Sequence, residues 1–151
     1  MNDFDFLTGT WDVANRRRAR FLDPASPWEE FPGVTRGSVH FGGAAHMDEI
    51  EFPTLGSSGL TLRLHDPARG TWSLYWASSR TGTLFPPVSG RFDGGRGEFF
   101  GDDEHEGVPV RARFVWSGIT ADAARWAQAF STDGGATWLD NWTMDFTRRR
   151  G

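Results

Sequence analysis

Gly9-Thr10-Trp11 near the start, answered by Arg148 near the end, is the pairing that decides the fold. From Trp11 onward the side chains alternate with a period of two, the pattern of a strand with one face on a core and the other in water. The last run alternates as well, aligning Trp138, Asp140, Trp142, Met144, Phe146 and Arg148. A guanidinium stacks well on an indole. If Arg148 covers Trp11, the last strand lies beside the first and the sheet closes on itself.

Working outward from that pair, the spacing predicts about ten strands. They run over 11–21, 28–41 (bent or broken at Pro32-Gly33), 47–52, 60–65, 72–77, 86–92, 97–103, 108–116, 124–130 and 137–148. Over 60–65, Leu60, Leu62 and Leu64 face one way and Thr61, Arg63 and His65 the other. Clusters such as Asp23-Pro24-Ala25-Ser26-Pro27 and Asp66-Pro67-Ala68-Arg69-Gly70 mark the turns. Residues 3–7, with Phe4, Phe6 and Leu7, read as a short helix or turn that lids one end. Successive hairpins without a helical crossover imply an antiparallel meander. Closing such a sheet removes its exposed edges. The expected fold is all-β: one domain over 1–151, a single antiparallel up-and-down β-barrel of about ten strands.

Composition narrows the chemistry. A chain of 151 residues buries roughly 70% of its unfolded surface, so no staple is needed. With no cysteine, thiol nucleophiles, thiolate metal sites and disulfides are out. All 16 basic residues are arginine, so no lysine is available for a Schiff base. The net charge is −4. Two short basic clusters, Arg16-Arg17-Arg18 with Arg20 and Arg148-Arg149-Arg150, do not make the broad basic face that nucleic acid requires. No apolar run reaches the roughly 18 residues of a membrane span, and no secretory leader is visible. A soluble, cytoplasmic protein is expected, a monomer or homodimer that engages neither nucleic acid nor membrane.

The chemistry-bearing residues are thinly spread. His40, His46, His65 and His105 lack metal-ligand spacing, so no metal and no cofactor are expected; a haem on one histidine is a distant alternative. Asp102, Asp103, Glu104 and Glu106 read as a solvated loop. No Gly-x-Ser-x-Gly elbow occurs. Ser131-Thr132-Asp133-Gly134-Gly135-Ala136-Thr137-Trp138 resembles the Asp-box, Ser-x-Asp-x-Gly-x-Thr-Trp. It is a hairpin device, in which an aspartate accepts turn N–H groups and glycine supplies positive φ; no glycosidase follows from it.

What rises above this background is the aromatic set on the apolar strand faces, because six tryptophans there (Trp72, Trp76, Trp116, Trp126, Trp138 and Trp142) are many for a barrel interior. A cavity lined by indoles with a few polar groups has the make-up of a ligand pocket. Trp72, Trp76, Trp116, Trp126 and Trp142 are expected as walls. Gln128, Asn15 and Arg17 are expected to orient a small hydrophobic or aromatic ligand, and Asp140 shares their face. Two alternatives remain open. One is a barrel enzyme (cyclase, isomerase or hydratase) using Asp48, Glu49, His46 and Arg113 as acid–base candidates; its catalytic residues are not fixed by the sequence. The other is a filled structural barrel.

The run Trp126-Ala127-Gln128-Ala129-Phe130-Ser131, with Asp133-Gly134-Gly135, Thr137-Trp138, Asn141-Trp142, Met144 and Phe146-Thr147-Arg148, resembles the C-terminal signature of a family of uncharacterised bacterial lipocalin-like proteins. Trp28-Glu29-Glu30-Phe31, Asp48-Glu49, Arg63 with Asp66-Pro67, Tyr75-Trp76 and Gly101-Asp102-Asp103 extend the resemblance along nearly the whole chain. It implies a calycin-type barrel and no particular activity. The family pattern carries glutamates where this chain has Ala127 and Leu139. Those two positions are expected side by side on the last hairpin, facing away from the tryptophans.

Overall fold

The computed structural model describes residues 2–150. The strands are β1 (Gly9–Arg18), β2 (Trp28–His40), β3 (Ala45–Phe52), β4 (Ser57–Asp66), β5 (Thr71–Ser78), β6 (Val88–Asp93), β7 (Arg96–His105), β8 (Val108–Ser117), β9 (Ala123–Ser131) and β10 (Leu139–Arg148). Each pairs antiparallel with its neighbours in sequence, and β1 pairs with β10, giving a closed up-and-down barrel.

Closure follows the first-and-last pairing. Trp11 stands across from Arg148 in the β1–β10 register, and the guanidinium carbon lies 4.2 Å from the indole centroid. Arg148 also donates from Nε to the Ala121 carbonyl at 2.8 Å, and from Nη1 and Nη2 to the carbonyls of Thr8 and Phe6 at 2.7 Å each. It thereby ties the N-terminal lid to the last strand. That lid is a single 3₁₀ turn, Asp5–Leu7. It drives Phe4 and Leu7 into the barrel end, where both are fully buried. Phe4 meets Trp72 edge-on at 5.0 Å and Phe92 at 5.1 Å, and the Trp72 indole donates to Asp3 at 2.9 Å. This end is sealed.

Four local readings change. β1 stops at Arg18, so Phe21 lies past the strand and bends across the opposite end, onto Phe130. β2 runs unbroken through Pro32-Gly33. Pro32 lies beyond the β2–β3 ladder, which begins at Val34, an edge-like position of the kind proline tolerates. Asp102, Asp103 and Glu104 belong to strand β7, not to a loop. On β10 the single aligned face is broken: the register with β9 slips between Asp140 and Trp142. A bulge puts two successive residues on one side, so Asn141 and Trp142 are both buried. Asp140 is exposed and lies 3.6 Å from Arg113, and Trp138 packs outside on Arg113 and Phe100. Ala127 and Leu139 are not side by side: Leu139 stands across from the inward Phe130, while Ala127 pairs with Thr143.

The Asp-box hairpin forms as its residue types demand. The Ser131 hydroxyl donates to Asp133 at 2.6 Å; Asp133 in turn accepts from the Thr137 N–H at 2.9 Å and the Thr137 hydroxyl at 2.5 Å. Those donors, Ser131 first, hold the Asp133 carboxyl down at about 2. Gly134 and Gly135 take φ of 73° and 98°, conformations that L side chains resist.

Candidate functional site

Inside the barrel, between the sealed end and the mouth, lies a small chamber with a cavity volume of about 60 Å³. Its walls are mostly aromatic: Trp76, Phe114, Trp116, Trp126, Trp142 and Phe146. The rings meet edge to face, Phe114 with Trp126 at 5.1 Å, Trp126 with Trp142 at 5.7 Å and Trp76 with Trp142 at 6.4 Å. Such T-shaped contacts add roughly 0.5–1.5 kcal/mol each beyond simple burial, which helps the walls hold their shape. Gly59 on β4 makes room for one wall, since a Cβ there would collide with the Trp76 ring.

The floor is polar, and its key residue comes from a strand facing the opposite way to a simple hydrophobic reading. β4 points Leu60 outward, where it is 48% exposed, and turns Thr61 and Arg63 toward the chamber. Arg63 is buried and donates from Nη1 to Asp48 at 3.1 Å and to His46 Nδ1 at 3.0 Å. Thr35 donates to the other Asp48 oxygen at 2.5 Å. The Arg63 guanidinium also lies over Phe4, at 5.1 Å. Burial works against its charge and Asp48 sustains it. His46 is pushed down to about 4, first by burial and then by Arg63. It is therefore neutral near pH 7, with Nδ1 accepting from Arg63 and the hydrogen on Nε2. Arg63 Nε and His46 Nε2 are buried with no hydrogen-bond partner. Such atoms cost free energy unless something bonds them.

Higher up, two amides brace the wall. Gln128 donates to Asn141 Oδ1 at 2.8 Å, and the Trp142 indole donates to Asn15 Oδ1 at 3.0 Å. Gln128 lines the chamber, whereas Asn15 stands behind Trp142 and fixes its ring.

The chamber leads outward. A second space of about 140 Å³ shares Trp76, Phe114, Gln128 and Trp142 with it and extends to Phe85, Pro86 and His105. A third, at the rim, shares Phe21 and His105 with the second and is bounded by Arg17. Phe21 stacks on His105 at 5.1 Å. The wall is thinnest here, because β5 and β6 pair through three rungs only, ending at Leu74 and Val88. Arg17 is half-buried, its guanidinium carbon 4.7 Å from the Phe31 ring centroid and 5.0 Å from that of Trp142. Burial holds its pKa below the ordinary arginine value.

The structure thus brings Trp76, Trp116, Trp126, Trp142 and Gln128 together around one space, with Arg17 at the rim and Asn15 behind the wall. Trp72 lies apart from them, in the plug against Phe4. Of the acid–base residues, Asp48 and His46 sit in the floor cluster, whereas Glu49 is exposed on the outer face and Arg113 is packed outside on Trp138. Two residues were missed as site residues. Arg63 was legible only as a polar position opposite three leucines, and Asn141 needed the bulge.

No family model matches the chain, and no curated protein matches it. Among solved structures it is similar to "Structure of S-type Phycobiliprotein Lyase CPES from Guillardia theta", at 11% identity over 98% of this chain and 91% of that one, with a TM-score of 0.59. At that identity the likeness bears on the fold: a closed, ten-stranded, lipocalin-like barrel.

Proposed function

We propose that this protein binds a small hydrophobic or aromatic molecule inside the barrel. One observation carries the reading: an aromatic-lined cavity of about 60 Å³ opens into a further space of about 140 Å³ toward the mouth, in a molecule whose other end is densely plugged. Trp76, Trp116, Trp126 and Trp142 form its walls and Gln128 offers a hydrogen bond; Asn15 acts by holding Trp142, and Trp72 by anchoring the plug. The solved structure of a phycobiliprotein lyase adds support, since a protein of that name shares this fold. The resemblance to bacterial lipocalin-like proteins belongs with the same reading.

The test is tryptophan fluorescence with a panel of neutral aromatic and aliphatic probes, alongside thermal unfolding. Quenching that saturates and a raised melting temperature support binding. A flat response to the whole panel, in protein freed of co-purified molecules by refolding, points to a filled structural barrel. Turnover of any probe, lost on Asp48→Asn, moves the assignment to the enzyme reading, for which Asp48 is the one acid–base residue on the chamber wall.

A further inference from the structure

We infer that the ligand is an acid with an apolar body, bound with its anionic group at the mouth against Arg17 and its uncharged end toward the floor. This rests on the binding reading above and names the ligand class and its direction.

The argument begins with the arginines of the rim. Arg16 faces Glu30 at 3.9 Å, Arg20 bonds Asp23 at 3.0 Å, and Arg18 donates to the carbonyls of Asp140, Pro24 and Ser26. Among the described residues, Arg18 and Arg20 have hydrogen-bond acceptors and Arg16 has an ion-pair partner. Arg17 differs: among the described residues its guanidinium makes no hydrogen bond and no ion pair, only the two stacking contacts on Phe31 and Trp142. The nearby charges acting on it are Glu29, which is exposed and beyond bonding reach, and the like-charged Arg80, which spends a hydrogen bond on the Leu55 carbonyl. A half-buried cation whose five N–H donors lack a protein acceptor, stacked on a ring that lines the chamber, is a receptor for an anion.

The floor supports the same direction from the other side. Arg63 is already neutralised by Asp48 at 3.1 Å. A ligand carboxylate placed there would sit beside the Asp48 carboxylate in a dry site, where like charges repel strongly. The floor suits the neutral end of a ligand, and the mouth suits the charged one. Between them the walls are aromatic, so the connecting body must be apolar.

Naphthoate and decanoate, each against its methyl ester, test this by calorimetry and tryptophan fluorescence at neutral pH. A charge-assisted hydrogen bond is expected to favour each acid over its ester by about 10-fold to 100-fold. That preference should shrink with added salt, because the mouth is open to solvent. Arg17→Gln should bring the acid to the level of its ester and leave the ester unchanged, while Arg17→Lys should retain part of the preference. Acid and ester binding equally would overturn this inference and leave the binding reading standing. A preference that survives both Arg17→Gln and high salt would also overturn it, since the anion would then lie at the floor. If no acid or ester binds, the binding reading itself fails.

Discussion

The two ends of this barrel are built from the same residue types and spend them differently. At the sealed end, Arg148 stacks on Trp11 and gives its donors to three carbonyls. At the mouth, Arg17 stacks on Trp142 and Phe31 and gives its donors to none of the described residues. The sealed end carries a lid, Asp5–Leu7, that fills the space with Phe4 and Leu7. The mouth carries Phe21 on His105 and a thin seam between β5 and β6. One end is finished by the chain itself, whereas the other keeps a half-buried cation with no hydrogen bond or ion pair among the described residues.

The largest expected effect lies at the polar floor that divides the two ends. Arg63→Met strands Asp48 without its charge partner, and breaking a buried pair in this way costs roughly 3–5 kcal/mol. Urea unfolding should show that loss, and adding Asp48→Leu should recover most of it. If the single variant is as stable as the parent, the floor is not an ion pair.

Next comes the pH response. The His46 pKa is lowered from 6.5 to about 4, so the unfolded chain takes up the proton first. Stability from this group is full above pH 6.5 and is lost as the pH falls toward 4, by on the order of 3 kcal/mol. His46→Gln should flatten that window in chemical denaturation measured across pH. Asp133, lowered from 3.8 to about 2, acts in a separate window: its contribution is present above 3.8 and fades between 3.8 and 2.

Arg148→Ala removes one charged group from three carbonyls and an indole. About 2–3 kcal/mol should go, and amide exchange should rise first in the lid. Gly59→Ala is expected to cost about 1–3 kcal/mol by overpacking, with Trp76 pushed toward the chamber and its fluorescence altered. Arg17→Gln closes the series. It should change stability by less than about 0.5 kcal/mol, as surface substitutions generally do, while changing what the chamber binds. A large stability loss there would erase the contrast with Arg148.

Much of this was legible in the chain. Period-two alternation and glycine-marked turns located ten strands, because each strand is short, paired on both sides and closed by a tight turn. The Trp11–Arg148 pairing was readable because both residues sit at strand positions that closure must bring together. The Asp-box hairpin was readable because all its bonds lie within a few residues of each other. β4 was harder: its leucines face solvent and Arg63 faces the core, since the inner face of a strand is set by its register with His46 and Leu74, not by its own hydrophobicity. Asp140 was expected inside and lies outside because one bulge inverts every residue before it.

The sequence by itself determined the strands, the turns and the two strands that meet to close the barrel, because those depend on local pattern and on one pairing. Only the tertiary structure decided that Asp48, His46 and Arg63 share a floor, that Asn15 and Asn141 brace Trp142 and Gln128, and that Arg17, unlike Arg16, Arg18 and Arg20, has neither a hydrogen bond nor an ion pair among the described residues. Those are relations between strands far apart in the chain, and register and curvature, which no single segment encodes, set them.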